Sequence, residues 1–228
     1  MSIRYFFLAF ALSLAVIARA ADVGIVMPAE PDHLVPVNPY PGESHVRYTD
    51  QLRSHFKLDH LFFAQMVVRP SFSAEYAVRL YGDGNQIDTT HQCFLTHFAA
   101  DKSIYHSMPE NNDKKEQRKV AIAVTTVEIS KPLATRIEQL WRRMLLRTRY
   151  PEEGGSGLDG TTFEFSIWYV YGRTWSPHER KGPLLLIELG ESLIDYCKTA
   201  PAERPAAARK IENKAAQLEK YLNKHPSK

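Results

Sequence analysis

Apolar and polar positions follow two different periods along this chain. From Phe62 to Phe98, β-branched and aromatic residues recur every second position, the spacing of strands with one buried face. FFAQMVVR (62–69) and AEYAVRLYG (74–82) flank Pro70 and a polar turn, and read as the two strands of a hairpin. In the second, Tyr76, Val78 and Leu80 oppose Glu75, Arg79 and Tyr81, which predicts one solvated side. Asp83-Gly84-Asn85 marks a turn. Gln92 to Phe98 and Ser103 to Met108 read as a second hairpin, with Cys93, Leu95, His97, Ile104, His106 and Met108 on one face. VAIAVTTVEI (120–129) is apolar on both sides, as expected of a strand covered twice.

After Ile129 the period lengthens. Ser130 stands where an N-cap is wanted and Pro132 falls in the first turn, followed by Leu133, Ile137, Leu140, Trp141, Met144 and Leu145 at helical spacing. Gly182-Pro183 opens a second helix with Leu186, Leu189, Leu193 and Cys197 in its stripe and Gly190 permitting close approach. A third helix, 206–223, carries Ile211, Ala215, Leu218 and Leu222. Between the first two, LDGTTFEFSIWYVYGRTWSP (158–177) runs from Asp-Gly to Ser-Pro through β-type residues and predicts one central strand. Phe163, Phe165, Ile167, Tyr169 and Tyr171 would face the core, and Glu164, Ser166, Trp168 and Val170 a wetter side. Strands in hairpins followed by helix, strand, helix, helix predict an α+β fold, with an antiparallel or mixed sheet of five to six strands covered by two to three helices.

The first twenty residues change the picture of where this domain works. Arg4, an apolar run from Tyr5 to Ala18, and Ala18-Arg19-Ala20 form the pattern of a secretory signal peptide, which predicts a soluble periplasmic or secreted chain without a membrane anchor. Residues 21–60 read as a proline-rich extended arm with a short helix from Asp50 to Phe56, 61–200 as a single α+β domain, and 201–228 as a C-terminal helix and tail. Without Arg4 and Arg19 the 29 basic residues become 27 against 26 acidic ones, a balance that argues against a nucleic-acid partner. In an oxidising compartment Cys93 and Cys197 are either a disulfide or two buried thiols.

Candidate chemistry is sparse. His91, Cys93, His97 and His106 match no standard metal spacing, so no metal is expected, and no cofactor or phosphate-binding fingerprint is present. Gly154-Gly155-Ser156-Gly157 fails the nucleophile-elbow pattern. Ser176, His178 and Asp159 could form a nucleophile, base and orienting group, and Glu164 could act as an acid with Asp159, Glu188 or Glu191. Arg149, Trp168, Arg173 and Trp175 are candidates for binding, at the end of the strand and beside the loop 152–157. The alternative for Trp168 and Trp175 is burial under the helices.

WRRMLLRTRYP (141–151), LDGTTFEF (158–165), GRTWSP (172–177) and LGESL (189–193) together resemble a pattern shared by exported bacterial proteins without an assigned activity. The resemblance covers about 120–197, implies the order helix, loop, strand, helix, and carries no catalytic residues. With no catalytic constellation standing out and Trp168, Tyr169, Tyr171 and Trp175 suited to a recognition surface, the reading is an exported, non-catalytic protein of binding, inhibitor or immunity type whose partner is another exported protein. Its rival is a periplasmic or secreted hydrolase using Glu164 or the group Asp159, Ser176 and His178.

Overall fold

Six strands build one open sheet in the order β4-β3-β2-β1-β5-β6, every neighbouring pair antiparallel. The computed structural model describes residues 30–37, 43–58, 62–82, 92–151 and 159–226. In chain order the elements are α1 (Glu43–Phe56), β1 (Ala64–Pro70), β2 (Tyr76–Gly82), β3 (Cys93–Ala100), β4 (Ile122–Ile129), α2 (Lys131–Leu145), β5 (Thr161–Ile167), β6 (Val170–Trp175), α3 (Gly182–Lys198) and α4 (Arg204–Lys224). The class is α+β, as the patterning predicts. No described helix is long and apolar enough to cross a membrane.

Alternation along the strands sorts side chains onto two faces that are buried in different ways. One face carries Met66, Val68, Val78, Leu80, Leu95, Val127 and Phe165, and packs against α2, α3 and α4 in the main core. Trp141 of α2 is fully buried there, edge-on to Phe165, and its indole N–H donates through the sheet to the Gln65 carbonyl oxygen at 3.3 Å. Gly190 lets α3 approach β1 closely: a Cβ there would lie 2.5 Å from Met66 Sδ, so the thioether would have to move. Over β2 the other face is not solvated, contrary to the alternation in that strand. Helix α1 and the turns at 104–111 lay Tyr48, Leu52, Phe56, Ile104 and Met108 over Val67, Ala77 and Phe98 as a second core.

Glu75 and Arg79, expected in water, are therefore buried. Each has found partners. The Glu75 carboxylate accepts the Tyr48 hydroxyl at 2.7 Å, the Ile104 N–H at 2.6 Å and the Tyr105 N–H at 3.1 Å, with Ser103 Oγ at 3.3 Å. Arg79 donates to the Lys57 carbonyl at 2.7 Å and lies over the rings of Tyr81 and Phe98. Burial beside Glu75 pushes the Tyr48 phenol well above its ordinary range.

Three expected elements are corrected. Ser103 to Met108 is no strand: Tyr105–Ser107 is a single 3₁₀ turn, its first N–H groups taken by Glu75, and β3 pairs instead with β4 from Cys93↔Ile129 to Ala100↔Ile122. As a result Cys93 and His97 face the helices while His106 is exposed and bonded to the Ser71 carbonyl oxygen at 3.3 Å. Strand β4 is an edge, mostly exposed, with Val124 in water, so its two-sided apolar pattern does not mean double cover. The stretch 158–177 is not one strand but the hairpin β5–β6, closed by Ile167↔Val170 around Trp168 and Tyr169. The expected turn at 83–85 and the loop 152–157 lie outside the described residues.

The described part of the proline-rich arm lies on the edge strand β6. Val35 and Arg173 exchange both backbone hydrogen bonds at 2.8 Å, and Leu34 is fully buried. Gly172 makes room for it, since a Cβ would meet Leu34 Cβ at 2.9 Å and Thr148 Oγ1 at 2.8 Å. The helix expected from Asp50 to Phe56 extends back to Glu43.

Cys93 and Cys197 are both buried in the main core and no disulfide joins them, so the disulfide alternative is not realised. Burial pushes the Cys197 thiol up to about 12, which keeps it protonated and unreactive. Burial, reinforced by Lys198, lowers His97 to about 4. Because its folded value lies below its unfolded one, the unfolded chain takes up the proton first. The stability His97 contributes is full above about pH 6.5 and is lost as the pH falls towards 4. Urea titrations at pH 7 and pH 4 should show the wild type losing on the order of 2–3 kcal/mol more than His97→Gln; equal losses would mean that His97 titrates normally.

Candidate functional site

The second face is only partly covered. Helix α1 shields the middle of the sheet, and where it ends the β1–β5–β6 side opens into a cleft of about 530 Å³. Its floor follows from register. Gln65 pairs with Ser166 and Val67 with Glu164 across β1 and β5, while Ser166 pairs with Tyr171 and Glu164 with Arg173 across β5 and β6. Directly opposed residues share a face, so these side chains converge. One wall is α1, with His45, Thr49, Asp50 and Arg53; the other is the hairpin tip, with Trp168, Tyr169 and Tyr171.

The charges in the cleft are unevenly matched. Arg69 forms an ion pair with Glu164, both largely buried, and its guanidinium lies 4.6 Å from the centre of the Tyr48 ring. Arg53 and Arg173 line the same space, and neither side chain has a hydrogen bond or ion-pair partner among the described residues. On the floor, Gln65 donates its amide nitrogen to Ser166 Oγ at 3.3 Å, and its amide oxygen is buried without a donor among the described residues.

The tip is strained. Trp168 takes the left-handed φ of 51° at the first turn position, where two-residue hairpins usually place glycine or asparagine. A tryptophan there costs roughly 1 kcal/mol or more. Next to it Tyr169 is 84% exposed, and Trp168 and Tyr171 are each more than one-third exposed. Burial of Trp168 and Trp175 under the helices is thus excluded, since Trp175 is 42% exposed and only Trp141 is fully enclosed. Iodide should accordingly quench emission from two of the three tryptophans, and Trp168→Phe and Trp175→Phe should each remove one accessible component.

The structure separates the other candidates. Glu164, Trp168 and Arg173 meet in the cleft. Trp175 shares their face but packs against Gly160 at the far end of the hairpin. Arg149 holds the arm, its guanidinium 3.2 Å from Asp32 and its N–H on the Leu34 carbonyl oxygen. Ser176 Oγ accepts the Thr161 N–H at 2.7 Å, His178 lies 3.1 Å from Glu30, and Asp159 is exposed, with no hydrogen bond joining these three candidates. Glu188 is paired with Lys214 at 2.9 Å and Glu191 accepts the Tyr76 hydroxyl at 2.9 Å, both on α3 and hence across the sheet from Glu164. Asp50 is the other carboxylate lining the cleft among the described residues.

For metals, Cys93 and His97 lie in the core, His106 lies elsewhere, and His91 is outside the described residues. Glu30, His178 and Glu179 bring three ligand atoms within 4.8 Å of one another. Lys181 already holds that position, its ammonium 2.8 Å from Glu179 and 2.6 Å from the Glu30 carbonyl oxygen.

The residues missed from sequence are Gln65, Arg69, Tyr48 and Arg53. Gln65 and Arg69 are the two polar interruptions in FFAQMVVR, four apart and therefore on one face, which was the available sign. Comparison with protein-family models, with characterised proteins and with solved structures gives no match to this chain.

Proposed function

We propose that this is an exported, non-catalytic binding protein whose recognition site is the cleft between α1 and the β5–β6 hairpin. The observation that carries the reading is the hairpin tip: two bulky aromatic residues occupy a turn that glycine or asparagine would fill without strain, and both rings face outward or into the cleft. Strain retained at one solvent-facing point fits selection for contact rather than for stability. Tryptophan, tyrosine and arginine are also the residues that dominate binding energies.

The hydrolase reading is less well supported. Glu164 is engaged by Arg69 rather than poised on a nucleophile, and Ser176 is engaged in a backbone contact. Affinity capture from the envelope of producing cells tests the proposal, with the wild type beside a Trp168→Gly, Tyr169→Ser variant. A species retained by the wild type and lost with the variant supports it. Retention by both, or turnover in a hydrolase screen that Glu164→Gln abolishes without unfolding, would overturn it.

A further inference from the structure

We infer that the cleft receives a carboxylate ligand that carries an apolar group, the chemistry shared by a free N-acyl amino acid and by the last residue of a peptide. This rests on the cleft being a binding site and goes on to say what it binds.

Two features of the lining select that chemistry. The first is charge. Glu164 is already matched by Arg69, so two further guanidinium groups, Arg53 on α1 and Arg173 on β6, face the same space with Asp50 as the other carboxylate. An anion is the missing counterpart, and a guanidinium favours a planar carboxylate, which takes two parallel N–H bonds.

The second is the aromatic wall of Trp168 and Tyr171, which offers faces to an apolar side chain beside the two guanidinium groups. A simple inorganic anion has no such side chain. A space of about 530 Å³ falls within the range of small-ligand pockets.

The test is calorimetric titration of the purified protein with three probes: N-acetylphenylalanine, its C-terminal amide, and acetyl-Ala-Ala-Phe with a free C-terminus. The acids should bind at least tenfold more tightly than the amide, and Arg173→Met and Arg53→Met should each weaken the acids about tenfold or more while leaving the amide unchanged. Arg53 is exposed on α1 and its replacement leaves the sheet intact, which guards against misfolding of the Arg173 variant. A tripeptide at least tenfold tighter than the single residue identifies a peptide end as the source; equal affinities identify the free acid.

Equal binding of acid and amide, indifference to both arginine variants, or no binding of either acid at millimolar concentration would overturn the inference. If the acids fail while the hairpin variant still loses its captured species, the cleft remains the site and only its ligand chemistry is wrong. If that capture is also unaffected, the site itself is misplaced.

Discussion

Glu75→Gln should destabilise the protein by about 2–4 kcal/mol, although it removes no volume. Every hydrogen-bond partner of this carboxylate among the described residues is a donor: two backbone N–H groups and the hydroxyls of Tyr48 and Ser103. A glutamine must turn its NH₂ towards one of them, so two donors face each other in a site closed to water. The damage reaches the cleft because Tyr48 fastens α1 to the sheet and supports Arg69, and α1 is one wall of the cleft. Urea unfolding at pH 7 measures the loss, and Tyr48→Phe, which removes one donor and leaves the carboxylate three, should cost only about 1 kcal/mol. A Glu75→Gln variant as stable as the wild type would show that the turn at 104–107 does not depend on this carboxylate.

Trp141→Ala should cost about 3–5 kcal/mol, the range for emptying a large buried aromatic site. The indole is fully enclosed, stacks edge-on with Phe165, and donates to the Gln65 carbonyl oxygen. That hydrogen bond links α2 to the backbone of β1 directly beneath the floor of the cleft. Trp141→Phe keeps most of the ring and loses the donor, so its smaller cost separates the polar link from the packing. Chemical denaturation of both variants gives the two values, and a cost below 1 kcal/mol for the alanine would mean that α2 closes over the gap.

The helices and the strands of the main core were legible because each has one apolar stripe at its own period. Leu186, Leu189, Leu193 and Cys197 are buried as their spacing demands, as are Ile211, Ala215, Leu218 and Leu222. Three things were hidden, for three physical reasons. The turn between β5 and β6 is made of Trp168 and Tyr169, residues of strand type held in place by pairing on both sides, so nothing local marks a reversal. The polar face of β2 looks solvated until Glu75 is seen to bind backbone donors thirty residues away. The apolar outer edge of β4 has the composition of an interior strand, and composition carries no information about neighbours. Of the cleft, Glu164, Trp168 and Arg173 were singled out, but α1 and β1, which complete it, could be joined to them only by long-range pairing.

That pairing has a kinetic consequence. Strand β1 lies between β2, reached after a short turn, and β5, about one hundred residues later, as in Gln65↔Ser166. A chain emerging from its N-terminus can form the β1–β2–β3–β4 meander early while the far edge of β1, carrying Met66, Val67 and Val68, stays unpaired until β5 arrives. Closing so long a loop is slow, and an open apolar edge is the usual template for association in the interval. Both walls of the cleft come together only when that step is complete, so an arrested or truncated chain would keep much of the sheet and possess no cleft at all.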